Sequence, residues 1–220
     1  MLNQNDELLS FVLPSIGLGP FSLIVPEKGI EHLVSGRGIH ISDAGRTVEI
    51  GDWKLEIGQE PEIWDPVPQW SHLKNVQFSM SLDNFASLPE LVQTRFDQLL
   101  VQIAAKDHIE VVKATQKLAG LGEGLTPIGD DLLIGVLFAL WVNQPDSELI
   151  PLIGNTAVPL TTTLSGAFLK SAVAGEATIH WHNLANHHPD AKQKILSIGH
   201  TSGAAAWTGF AQTLPILRRE

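Results

Sequence analysis

The spacing of apolar residues along the chain changes character near position 85. Before it, apolar runs are short and alternate with polar positions; after it, they recur every three or four residues. Runs at 8–13 and 21–25 are bounded by Pro14, Pro20 and Pro26, with Gly17 and Gly19 between them. Alternation at 38–41, 47–50 and 53–57 is separated by turn residues at 43–45 and 51–52. Such segments predict strands, and short strands must pair or hide their edges. The first half is therefore expected to form a small barrel or curled antiparallel sheet. A last strand is expected at 75–80, with Trp64, Trp70 and the prolines at 61, 66 and 68 closing one end.

Helical spacing follows. Leu91, Val92, Phe96, Leu99, Leu100 and Ile103 define one amphipathic face from about position 88, introduced by Ser87 and Pro89. A second helix is expected over 107–119, and a third over 127–142 that is apolar on every side and so belongs at the centre of its half. Further helices are expected within 156–177, at 190–197 and at 204–214. The expected fold class is α+β, with a strand-rich domain over 1–82 and a mainly helical domain over 85–220.

Between the second and third helices lies the stretch Gly120-Leu121-Gly122-Glu123-Gly124-Leu125-Thr126-Pro127-Ile128-Gly129-Asp130-Asp131. Glycines at 120, 122 and 124 suit positive φ or close backbone approach. Thr126 reads as an N-cap and Pro127 as the first helical residue. A glycine-rich loop entering a helix turns N–H groups and the positive end of the macrodipole outward, a geometry that holds phosphate or carboxylate. Gly122, Gly124, Leu125, Thr126 and Gly129 are accordingly candidate ligand-binding residues. A P-loop is excluded, because no lysine occurs between Lys117 and Lys170.

Three readings of Asp130 and Asp131 stand side by side. They cap the helix start; they hold a magnesium or calcium ion that in turn holds a substrate phosphate; or one of them orients or deprotonates a substrate amide or amine. Thr162 and Ser165, three positions apart in a helix rich in small residues, either back-bond to their own turn or face a pocket shared with the loop. Glu176 is a reserve acid beyond that helix. His180 and His182 would face one side of a strand, yet no further ligand sits at zinc spacing. Near the C-terminus, Gly199-His200-Thr201-Ser202-Gly203 repeats the design of small polar residues at a helix start. Thr201, Ser202 and Gly203 join the candidate ligand-binding set, and His200 is a candidate proton carrier near neutral pH.

The core from Gly122 to Asp131, with Thr161-Thr162-Thr163-Leu164-Ser165 and Gly199-His200-Thr201-Ser202-Gly203, resembles a bacterial family of uncharacterised proteins that includes the AllH-type subunit of oxamate carbamoyltransferase. The resemblance covers roughly residues 115–215. Glu123, Ile128 and Ala205 depart from the family pattern. The resemblance implies a transferase subunit acting on oxamate and carbamoyl phosphate or a related small anionic substrate, in purine or allantoin degradation, alongside other subunits. Asp130, Asp131 and His200 would then be catalytic. Two other readings remain: a non-catalytic module that binds or senses small anions, and a structural partner subunit.

Composition narrows the partners. The chain of 220 residues has a formal net charge of −10 and no basic cluster, which argues against nucleic acid and anionic membrane surfaces. There is no cysteine, so disulfides and thiolate chemistry are excluded. The acidic N-terminus does not read as a signal peptide, and the apolar run at 132–142 is about half the ~20 residues that span a bilayer. These features predict a soluble, cytoplasmic protein. The pattern fixes no cofactor, and the paired acids leave room for magnesium or calcium.

Overall fold

The computed structural model describes residues 8–25, 39–42, 47–50, 53–56, 63–78 and 88–218. It is organised around the helix Ile128–Asn143 (α3), which follows Glu90–Ala105 (α1) and His108–Leu118 (α2). After α3 come Leu149–Ala157 (α4), Thr163–Val173 (α5), Ile179–Ala185 (α6), Ala191–Leu196 (α7) and Ser202–Leu217 (α8). The apolar run that made α3 a candidate centre is buried along nearly its whole length. Its principal neighbour is α8.

The α3–α8 contact is close enough to be set by glycine. A Cβ on Gly135 would lie 2.0 Å from the Ala206 carbonyl oxygen, and one on Gly209 would lie 2.1 Å from that of Leu132. Each helix thus presents a glycine to the other's backbone, where no side chain fits. Around this crossing the large rings gather. Trp70 stacks on Phe138 at 4.9 Å between centroids, Phe138 meets Trp181 edge-on at 4.9 Å, and Trp181 meets Phe210 at 5.2 Å. Trp70, Trp181 and Trp207 are core residues rather than a partner surface.

The expected strand-rich first half is corrected by the structure, which is mainly helical. Among the described residues, Ser10–Val12 (β1) pairs in parallel with Ser22–Ile24 (β2). Separately, Ile39–Ile41 (β3), Thr47–Ile50 (β4) and Trp53–Glu56 (β5) form an antiparallel ladder. Among the described residues the two sheets share no strand and close no barrel. The reason is where the apolar side chains go. Trp70 and Leu73, on the 3₁₀ turn Trp70–Leu73, are buried in the helical core, and Val76 and Phe78 pack against it. The guanidinium of Arg218 donates to the Val76 and Leu73 carbonyls, both at 2.8 Å. No strand forms over 75–78, because those side chains already serve the helices. The expected turns at 43–45 and 51–52, His32, Pro61, Ser87, the acidic N-terminus and positions 79–80 lie outside the described residues.

The N-terminal segments meet the helical half at α5 and at the entry to α6. The Ile179 amide donates to the Leu18 carbonyl at 2.9 Å, that of Ala177 to Pro66 at 2.8 Å, and Phe21 packs on Phe168 with centroids 4.8 Å apart. Pro20 is thereby brought to the rim of the site described next. No helix among the described residues is long and apolar enough to cross a membrane.

Candidate functional site

Glycines 120, 122 and 124 all adopt positive φ, at 68°, 125° and 90°. They fold the chain back between α2 and α3, and the loop closes on itself when the Gly129 amide donates to the Leu121 carbonyl at 2.9 Å. That bond consumes one of the N–H groups expected to face an anion. Pro127 occupies the N-cap position, and the hydroxyl of Thr126, expected to cap, instead lies 3.1 Å from that of Ser202 at the start of α8. The two helix starts singled out by sequence are therefore in contact.

Consecutive residues place Asp130 and Asp131 on different sides of α3. Asp130 is fully buried, and its carboxylate accepts three bonds. The Gly120 amide donates to Oδ1 at 2.8 Å, while the Ser165 hydroxyl at 2.8 Å and the Thr161 hydroxyl donate to Oδ2. The carboxylate ties the glycine loop to the start of α5. Thr162 caps that helix by accepting from the Ser165 amide at 3.1 Å, and its hydroxyl donates to the Leu125 carbonyl. Thr162 and Ser165 thus do meet the loop, but their hydroxyls are bonded to protein.

Asp131 faces a cavity of about 260 Å³. The residue is 4% exposed, and its Oδ2 is buried without a hydrogen-bond partner. Burial pushes its carboxyl up to about 7, opposed by the Ser202 hydroxyl and assisted by the charge of Asp130. Thr126, Ser202 and Gly203 also line the cavity, with Ser171, Glu176 and Thr178 opposite and Ile134, Phe138, Phe168 and Trp181 supplying apolar walls. The Thr178 hydroxyl, at the start of α6, is likewise buried and unpartnered. No lysine, arginine or histidine is among these lining residues.

Several candidates lie elsewhere. Gly122, Gly124 and Leu125 form an exposed loop tip, and Gly129 is buried with space for no Cβ against the Leu118 carbonyl oxygen at 2.1 Å. Thr201 and His200 are exposed and outside the cavity lining. His180 and His182 sit on α6 rather than a strand, so two residues of separation turns them apart. No group of three or more His, Asp or Glu arranged for a metal ion occurs among the described residues. The sequence reading missed Thr178 and the aromatic walls, whose roles come from packing between distant elements. Ser171 and Glu176 were visible as polar residues around α5, without a sign that they share a chamber with Asp131.

A second, more open hollow of about 670 Å³ lies beyond Ser171 and Glu176, lined by Thr161, Thr162, Thr163 and Lys170. No curated protein and no solved structure matches the chain. A family model does match residues 118–214, the span that contains both loops, Asp130, Asp131 and most of the cavity. Over that span the chain is similar to the family described as oxamate carbamoyltransferase subunit AllH, the family its motifs resemble.

Proposed function

We propose that the chain is a subunit of a carbamoyltransferase-like enzyme, and that the cavity beside Asp131 receives the amide end of a small substrate such as oxamate. One observation carries the reading: a carboxyl raised to about 7, one of its oxygens unpaired, on a residue that lines a cavity at the meeting of the two loops. A group of that pKa suits proton transfer near neutral pH. In the reaction, the amide nitrogen bonds to the carbamoyl carbon, the C–O bond to phosphate breaks, phosphate leaves with the electron pair, and the nitrogen's proton passes to Asp131. Ser202, beside the carboxyl, holds it in place. The substrate's negative charge finds no basic side chain in this lining, so partner subunits supply it.

Asp130 is given a different part, as the buried tie between the loop and α5. Both of its oxygens already accept protein donors, which favours this over magnesium ligation. Reconstitution with its partner subunits tests the reading through oxamate-dependent consumption of carbamoyl phosphate. Asp131→Asn is expected to lower turnover by roughly 100-fold or more while the fold is retained. Turnover at the wild-type rate in that variant would leave the chain as a binding or structural subunit.

A further inference from the structure

The charge of the cavity lining is one-sided. Asp131 and Glu176 bring carboxyl groups, and Thr126, Ser171, Thr178 and Ser202 bring hydroxyls that can accept. Two acceptor atoms, Asp131 Oδ2 and Thr178 Oγ1, are buried without partners, and Asp131 itself is 4% exposed. What remains of the wall is apolar, with the rings of Phe138, Phe168 and Trp181 in it. With this chain alone, an anion entering here would lose its water against two carboxyl groups with no counter-charge in the lining. A flat cation rich in N–H groups has the complementary chemistry: donors for the carboxylates, charge opposite to theirs, and a face that lies favourably on aromatic rings.

We propose that this cavity is a site for a compact amidinium or guanidinium group, with the Asp131 and Glu176 carboxylates as its acceptors. Such a ligand supplies what the lining lacks, a positive charge between the acids, together with N–H donors for their carboxylates. The cation would occupy the chamber that the carbamoyl-transfer reading gives to the amide end of its substrate, so the two readings compete for Asp131 and are separated by experiment. At pH 8, above the value to which burial raises Asp131, the carboxylate form is available to pair with the cation.

Isothermal titration calorimetry on the full chain at pH 8, with acetamidinium, methylguanidinium, acetate and inorganic phosphate as probes, tests it. Saturable binding of the two cations and none of the two anions is expected. Asp131→Asn and Glu176→Gln are each expected to weaken cation binding at least tenfold, and the second variant keeps the test informative should the first fold poorly. Anion binding as tight as that of the cations, no cation binding, or cation binding unchanged in both variants would overturn the proposal. Oxamate-dependent turnover is read separately. Its absence with cation binding intact removes the transferase reading alone.

Discussion

Two sides of the first turn of α3 receive the same residue type and treat it in opposite ways. Toward α5, Asp130 is fully buried and its carboxylate accepts bonds from Gly120, Ser165 and Thr161, so the cost of dehydrating it is offset by donors on both oxygens. Toward the cavity, Asp131 is almost as buried, yet one oxygen has no donor and the surroundings raise its pKa to about 7. Burial alone therefore does not distinguish a structural acid from a reactive one. The supply of donors does. A satisfied carboxylate stabilises the fold, whereas an unsatisfied one stores free energy that a ligand or a proton can release.

The sharpest way to break this comparison is to remove the satisfied member. Asp130→Ala would strand the Gly120 amide and two hydroxyls in the interior, and a loss of about 3 to 5 kcal/mol is expected on denaturant unfolding. A loss below about 1 kcal/mol would mean that the three bonds are not the tie they are taken to be. For Asp131 the sign reverses. Its carboxyl is raised in the folded state, so between pH 4 and 7 the unfolded chain releases a proton that the folded chain keeps. Stability from this group is intact below its ordinary value of 3.8, falls as pH rises towards 7, and stays low above it. The penalty at pH 8 is about 4 kcal/mol at ~1.4 kcal/mol per pH unit. Asp131→Asn carries no such penalty, so its stability relative to wild type is expected to rise by up to that amount between pH 4 and pH 8. Parallel stability curves for the two proteins would show that Asp131 titrates normally.

How much of this was legible in the sequence differs between the same two regions. The helical half was readable because periodicity and length are local signals: the run 132–142 announces a buried helix whatever surrounds it. The glycines at 120, 122 and 124 were likewise readable, since positive φ is a property of the residue. The first half misled because alternation over three or four residues marks a strand without saying whether strands assemble. Trp70 looked like part of the closure of a sheet and turned out to be core for α3. Within the site, adjacency in sequence brought Asp130 and Asp131 to notice as a pair, but helical geometry separates neighbours by ~100°. Which one meets Ser165 and which meets Ser202 is a matter of tertiary packing. The contact between Thr126 and Ser202, 76 positions apart, has no local trace at all.

The finest test acts on the Asp131 side through its neighbour. The Ser202 hydroxyl holds the Asp131 carboxyl lower than burial alone would, and it also meets the Thr126 hydroxyl at 3.1 Å. Ser202→Ala removes one hydroxyl at the partly exposed start of α8, so the stability change well below pH 3.8, where Asp131 is protonated in both states, is expected to be about 1 kcal/mol. The informative effect is on titration. Without that hydroxyl the carboxylate loses its one donor, so the carboxyl proton, followed by carbon-detected NMR of the side chain, should leave at higher pH than in wild type. The pH at which stability stops falling should move upward with it. A midpoint that stays in place would mean that Ser202 serves only the junction with Thr126. A midpoint that drops would mean that water enters where the hydroxyl had been and solvates the carboxylate, making the acid beside the cavity as well supplied with donors as its neighbour.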